Sequence, residues 1–135
     1  MLFFLTLVFL VTILYKKVNI TKYEEELLSI DPKFDIVNPS FTINNDNEKI
    51  SVSANKGNFL NNDLILLKNN VFFESSNFKI FSDEVTFNKK DQTAESKTDS
   101  KFESKGTKII AEGFSIKDKG NIILFNGKTL VVLQQ

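Results

Sequence analysis

Apolar and polar residues alternate along most of the chain after Pro39, beginning with Phe41 and Ile43 and continuing through Ile50 and Val52. A period of two buries one face of a β-strand. Breaks rich in asparagine and glycine fall between the alternating segments, and both residue types accept the positive φ of tight turns. No segment after Pro39 has a helical period. The pattern predicts an all-β domain of short antiparallel strands.

The strand pattern also repeats. A small residue inside an alternating strand is followed by a large apolar residue five positions later in three places: Ala54 with Phe59, Ser82 with Phe87, and Ala111 with Ile116. The small residues are 28 and 29 positions apart. A period of this length predicts about three stacked units, none of which closes a core alone. The alternative is chance similarity among short alternating strands.

The chain begins with an uncharged apolar segment, Leu2 to Tyr15, closed by Lys16 and Lys17. As a helix it would span about 21 Å, and a hydrocarbon core is about 30 Å thick. Extension through Val18 with snorkelling lysines narrows the gap. We predict a single transmembrane anchor over residues 1–18. The alternatives are a secretory signal peptide, although no Ala-x-Ala-like cleavage site follows, and a buried core helix.

The orientation of such an anchor is set by its flanking charges. Lys16, Lys17 and Lys22 follow the apolar segment and no charged side chain precedes it. The positive-inside rule would keep the lysine side cytoplasmic. A domain on the opposite side requires insertion against the rule or basic residues upstream of Met1, and we expect an upstream start.

Residues 19–38 are predicted to be a connector. Thr21 and Glu24 have the spacing of a capping box, which predicts a short helix from about Lys22 to Ser29. Asp31-Pro32 ends that helix. Asn38-Pro39 marks the start of the β domain, which is predicted to cover residues 39–135.

Composition excludes several classes of function. The 135 residues include 17 basic and 17 acidic side chains, and neither His nor Cys. A neutral chain has no field to hold nucleic acid. Disulfides, thiolate nucleophiles, the usual general base and the commonest metal ligands are all missing. No glycine-rich phosphate loop is present. We expect no catalytic residue, no metal and no cofactor.

The order of motifs in the β domain resembles a known family. Residues Ile50 to Phe59 read Ile-x-Val-x-Ala-x-x-Gly-x-Phe, followed by Leu64-x-Leu66, Asn70-Val71-x-Phe73 and, later, the segment Ile109 to Phe114. This order is similar to the repeat of the lipopolysaccharide-export bridge proteins: LptC, LptA and the periplasmic part of LptD. An anchor followed by about 100 residues of β repeat resembles LptC. Asn70 replaces a frequent family glycine, and the middle unit is unusually polar.

The resemblance implies a twisted, open β-jellyroll with an apolar interior, located in the periplasm and anchored to the inner membrane. It implies a non-catalytic role in lipopolysaccharide transport. The chain would take lipopolysaccharide from an inner-membrane ABC transporter (LptB, LptF and LptG) and pass it to LptA. Two alternatives stay open: a soluble LptA-like lipid carrier, and an anchored structural or adhesive module with a closed core.

A lipid carrier must shield acyl chains from water, because a 12-carbon chain left exposed costs on the order of 8 to 10 kcal/mol. Apolar residues on the inward faces of the strands are the candidate lining. They are Ile50, Val52, Phe59, Leu64, Leu66, Val71, Phe73, Phe78, Ile80, Val85, Phe87, Ile109, Phe114, Ile116, Ile122 and Leu124. The alternative is that these side chains pack as a closed core.

The last strand is predicted to be a docking edge for another β protein. Its residues Thr129, Leu130, Val131, Val132 and Leu133 are uncharged and apolar on both faces. Soluble proteins blunt an exposed edge with charge or proline, and neither is present here. Such an edge favours strand addition by a partner, here LptA. The alternative is a strand buried between two neighbours.

Overall fold

The structure is a computed structural model that describes residues 12, 13 and 35–135. Most of the predicted anchor, and all of the predicted connector helix, lie outside the described residues. Within the described part of the chain, no helix has the length and apolar character needed to cross a membrane.

Residues 35–135 form ten strands and one short 3₁₀ turn, and all strand pairings between them are antiparallel. The strands are β1 (Ile36–Val37), β2 (Ser40–Asn44), β3 (Lys49–Ser53), β4 (Lys56–Phe59), β5 (Leu64–Glu74), β6 (Phe78–Asn88), β7 (Thr93–Ser96), β8 (Ser100–Ser104), β9 (Thr107–Lys117) and β10 (Ile122–Leu133); the 3₁₀ turn is Asp118–Gly120. The all-β prediction is confirmed. β1 lies before Pro39, so the strand domain begins inside the segment predicted as connector.

The strands form one sheet that bends across the middle of its long strands. Three long strands each pair with two different short strands, one along each half: β5 pairs with β3 and β4, and both β6 and β9 pair with β8 and β7. We call one side of the bend sheet A: β2, β3, β8 and the half-strands Val71–Glu74, Phe78–Ser82, Thr107–Ala111 and Thr129–Leu133. Sheet B contains β1, β4, β7 and the half-strands Leu64–Lys68, Glu84–Asn88, Gly113–Lys117 and Ile122–Asn126.

Sheets A and B face each other across an apolar interior. Aromatic rings touch from one sheet to the other in three places: Phe41 with Phe87 at 5.2 Å, Phe73 with Phe114 at 5.5 Å, and Phe102 with Phe125 at 5.4 Å between ring centroids. Rings in this distance range pack favourably. This sandwich of two sheets built from shared, bent strands is consistent with the expected jellyroll.

The sequence repeat corresponds to the bent strands. In successive units, the place of β3 and β4 is taken by β6 and then by β9, and these segments begin at residues 49, 78 and 107, which are 29 apart. The place of β5 is taken by β7 and β8 and then by β10, and these segments begin at residues 64, 93 and 122. Ala54, Ser82 and Ala111 are buried at the bends, where sheet A passes into sheet B. A small side chain fits there because the chain folds sharply toward its own interior.

Hydroxyl groups fill the interior at one bend. Ser82 and Ser96 are buried with their Oγ atoms 2.9 Å apart. Ser100 is also buried and donates to the carbonyl oxygen of Thr98 at 2.8 Å. The hydroxyls satisfy one another, which explains how a polar middle unit is accommodated inside an apolar sandwich.

The structure corrects the inward face of two segments. Ile65 and Leu67 are fully buried, whereas Leu64 and Leu66 are partly exposed on the opposite face of β5. In β10, Ile123 packs against the core while Ile122 and Leu124 are exposed. The prediction that Leu64, Leu66, Ile122 and Leu124 face inward is therefore wrong. Each segment has four apolar residues in succession, so alternation cannot specify which face is buried.

Candidate functional site

One row of apolar side chains crosses the whole inner face of sheet A. Residues directly opposite each other on paired strands share a face, so the register defines the row. Its members are Phe41, Val52, Phe73, Ile80, Phe102, Ile109 and Val131, on β2, β3, β5, β6, β8, β9 and β10. We call this set the inner row.

Burial changes along the inner row. Val52, Phe73 and Ile80 have no solvent-exposed surface. Phe102 and Ile109, the next two members, are partly exposed, and Val131 is 54% exposed. The row therefore runs from partly buried Phe41 through a packed core to an apolar surface at β10. We call its exposed end, Phe102, Ile109 and Val131, the rim.

The opposite wall at the rim comes from sheet B. Phe125 on β10 touches Phe102 edge-on, with ring centroids 5.4 Å apart, and both side chains are only partly buried. Phe102 also stacks on Phe78 at 5.6 Å. An acyl chain arriving at the rim would meet apolar surface on both walls.

The far end of the interior is closed by turns. Asn45 Nδ2, in the β2–β3 hairpin, donates to the carbonyl oxygen of Lys119 at 2.7 Å. Gly120 is buried, and a Cβ built on it would clash with Ile50 Cδ1. The backbone N–H of Asn44 donates to Gln92 Oε1 at 2.8 Å, which ties the hairpin to the β6–β7 turn. Contacts at this end therefore join the edge of sheet A to two turns of sheet B.

Strand β10 has a single neighbouring strand, β9, among residues 35–135. Gln134 N–H donates to the carbonyl oxygen of Gly106 at 2.9 Å, so the backbone at Gln134 points toward the β8–β9 turn. Backbone groups alternate in direction along an antiparallel strand. By that alternation Thr129, Val131 and Leu133 direct their N–H and C=O groups away from β9. We call this side of β10 the open edge.

Comparison with protein-family models identifies the fold and its context. Residues 16–132 match the family described as "Lipopolysaccharide-assembly, LptC-related". The chain belongs to the LptC family. The match extends from just after the apolar segment to the next-to-last residue of β10, so it covers nearly the whole β domain. A search of curated proteins returned no match.

Membership of the LptC family confirms the resemblance seen in the motif order and places the chain in lipopolysaccharide transport. Among the residues that the structure describes, no group of three or more acidic side chains is placed to hold a metal ion.

The predicted lining residues fall into two groups. Ten are buried between the sheets: Ile50, Val52, Val71, Phe73, Phe78, Ile80, Val85, Phe87, Phe114 and Ile116. The other six are partly or largely exposed: Phe59, Leu64, Leu66, Ile109, Ile122 and Leu124. Of these six, Ile109 belongs to the rim. Phe59 is opposite buried Ile65 at the end of β4 and has Lys89 Nζ 5.2 Å from its ring centroid.

Alternation alone does not identify Phe102 of the rim, or Phe125 on the wall opposite it, as lining residues. Phe102 is flanked by Lys101 and Glu103, which gives the segment a polar character. The repeat does identify Phe102 as inward-facing, because Phe73, Phe102 and Val131 are 29 positions apart and occupy the same place in successive units. Aligning the units strictly would have found both Phe102 and the inner-facing role of Val131.

Proposed function

We propose that this chain is the membrane-anchored, non-catalytic component of a lipopolysaccharide transport system. It receives lipopolysaccharide from an inner-membrane ABC transporter made of LptB, LptF and LptG. Its β domain, in the periplasm, then passes the lipid to LptA. Support comes from the LptC family match and from the apolar segment that precedes the matched domain.

The observation that carries this proposal is the continuity of the inner row from the packed core to the open edge. A partner strand added to β10 would continue the row beyond Val131 with its own inward side chain. Acyl chains could then pass from one domain to the next along apolar surface. Each buried methylene is worth about 0.8 kcal/mol, so equivalent surfaces on both sides let the lipid move without a large net cost.

The packing of the interior indicates where lipid binds first. Phe73 and Phe114 touch edge-on between the sheets and are both fully buried. An acyl chain that reached them would have to separate sheets A and B. Phe102, Ile109 and Val131 already have exposed apolar surface. The rim is therefore the first lipid contact, and deeper contacts require the sheets to part.

A photo-reactive amino acid at Phe102 tests the lipid contact. In cells that make lipopolysaccharide and contain the transporter, irradiation should attach lipid A to the chain at this position. Phe81 is the matched control, because it is an exposed phenylalanine on the outer face of the same sheet. The same probe at Phe73 reports whether the sheets separate.

Labelling at Phe102 but not at Phe81 supports lipid transport. Equal labelling at both positions, or none at Phe102, contradicts it. The second candidate function is an anchored structural module, which the complete burial of Val52, Phe73 and Ile80 favours. That candidate predicts no lipid adduct at either inner position.

The open edge is tested by the substitution Val131→Pro. Proline removes a backbone N–H that points away from β9, so strand addition is blocked while the β9 pairing keeps its hydrogen bonds. We expect capture of purified LptA by the full chain to fall by at least about tenfold. Val131→Thr keeps the N–H and the β-branched shape, and should retain capture within about threefold. Unchanged capture by the proline variant would refute docking at β10.

A further inference from the structure

The outer face of sheet A has an apolar groove that leads to the open edge. The register aligns Phe72, Phe81, Lys101, Ile110 and Leu130 in one row on this face. A cavity of about 510 Å³ lies over the first four, and a second of about 360 Å³ continues over Ile110 and Leu130. Asp99 and Ile110 line both cavities, so the two adjoin, and the smaller one reaches β10.

The floor of the groove is aromatic and partly exposed. Phe72 and Phe81 pack with ring centroids 4.9 Å apart. Phe81 is 38% exposed, although neither ring contributes to the core between the sheets. Lys101 Nζ is 4.8 Å from the Phe81 ring centroid and 3.3 Å from Glu103 Oε1, so its charge is already paired.

Three carboxylates line the walls of the groove. Asp83 and Asp99 line the larger cavity with Lys101. Glu112 lines the smaller one beside Lys128, so carboxylates outnumber ammonium groups along the groove. Among residues 35–135, none of these three carboxylates forms an ion pair. Glu112 Oε2 accepts a hydrogen bond from the backbone N–H of Lys128 at 3.0 Å, which holds that carboxylate beside β10.

We propose that this groove selects the partner strand that adds to β10. The occupant is an extended segment with a large apolar side chain placed beside Leu130. A lysine or arginine two positions away, on the same face, lies near Asp99 and Glu112. The inference rests on the proposed use of the open edge and adds a specificity determinant on the face that does not contact lipid.

A second copy of this chain does not fit that description. Its exposed sheet-A edge is β2, where Phe41 and Ile43 face inward. The outward side chains are Ser40, Thr42 and Asn44, which are neutral, polar and short. They would neither fill an apolar groove nor pair with carboxylates.

Three fluorescent decapeptides of alternating pattern test the proposal against the full chain in a mild detergent. The first carries leucine flanked by two lysines on one face and threonine on the other. The second has glutamate in place of both lysines. The third has the sequence of residues 38–47 of this chain. We expect the lysine peptide to bind at least about tenfold more tightly than either other peptide at low salt. The preference should shrink as salt rises.

Variants assign the preference to the groove. Asp99→Asn combined with Glu112→Gln should reduce the lysine-over-glutamate ratio to about threefold or less. Glu95→Gln is the matched control, because Glu95 is exposed on β7 in sheet B, and it should leave the ratio unchanged. Val131→Pro should abolish binding of the lysine peptide, which shows that the peptide adds to the open edge.

The outcomes separate this inference from the proposed function. Equal binding of the lysine and glutamate peptides, both lost in Val131→Pro, overturns groove selection but supports the open edge. Tightest binding by the 38–47 peptide also overturns it and indicates a second copy as occupant. If no peptide binds while LptA is still captured through Val131, the inference fails and the proposed function stands.

Discussion

Two parts of the inner row, its packed middle and its rim, contain the same kinds of residue and have opposite environments. Val52, Phe73 and Ile80 are completely buried, whereas Ile109 is partly exposed and Val131 is more than half exposed. Both sets belong to one continuous line of paired strands on one face. An apolar inward pattern therefore does not by itself distinguish a structural core from a binding surface.

The difference comes from what covers each part of the row. In the packed middle, sheet B covers the row, as Phe114 does where it touches Phe73, and the β2–β3 hairpin is hydrogen-bonded to the β6–β7 turn and to the Asp118–Gly120 turn. At the rim, the described strands stop at β10. The same side chains thus stabilise the fold where they are covered and remain available for contact where they are not.

The largest expected effect is the difference in unfolding free energy between truncating a side chain in the packed middle of the inner row and truncating one at its rim. Phe73→Ala removes a fully buried ring and should lower the free energy of unfolding by about 3–5 kcal/mol. Val131→Ala removes two methyl groups from an exposed position and should cost less than about 1 kcal/mol. Urea denaturation of both variants, followed by circular dichroism, measures the difference. Equal losses of unfolding free energy would mean that Phe73 and Val131 are covered alike.

The next comparison concerns the two faces of β5. Ile65→Ala should cost about 2–5 kcal/mol because Ile65 is fully buried. Leu64→Ala, one residue away, should cost less than about 1 kcal/mol because Leu64 is partly exposed on the other face. The same denaturation measurement applies. The reverse ranking would restore the inward face expected from the sequence and shift the register of β5 by one residue.

These contrasts show what the sequence determined. Strands with polar outer faces were assigned correctly: in β3, Ile50 and Val52 are buried between Lys49, Ser51 and Ser53. In such a strand, alternation allows only one choice of buried face. The spacing of Ala54, Ser82 and Ala111 predicted a repeat of about three units, and the strand order has that repeat, with these small buried residues at the passage from the sheet A segment to the sheet B segment of each unit.

The remaining features depend on tertiary contacts. At the start of β5 and of β10 both faces are apolar, so only packing against the facing sheet selects Ile65 or Ile123 as the inner residue. β1 has two residues and is defined by its pairing with Lys56 and Gly57, which no local pattern reveals. The outer groove combines residues from β5, β6, β8 and β9. Phe72 and Lys101 are 29 positions apart, as are Phe81 and Ile110, so the groove follows the sequence repeat, but only the pairing of the strands brings these residues into one row.

The smallest expected effect tests the closure of the far end of the interior. Gly120 has φ +90°, and a Cβ there would clash with Ile50 Cδ1. Gly120→Ala should destabilise the domain by about 1–3 kcal/mol, through the clash and through a backbone conformation that disfavours a side chain.

The double variant with Ile50→Val separates the two causes. Valine lacks the Cδ1 atom, so part of the Gly120→Ala penalty should disappear in the Ile50→Val background, and the remainder measures the backbone cost. Gly106→Ala is the matched control: Gly106 has φ +76°, but its nearest contact to an added Cβ is an ordinary 3.5 Å. Its penalty should not depend on Ile50. If the Gly120 penalty were equally independent of Ile50, the turn would not press on the interior, and this end would be closed by the β2–β3 hairpin and its hydrogen bond to the β6–β7 turn.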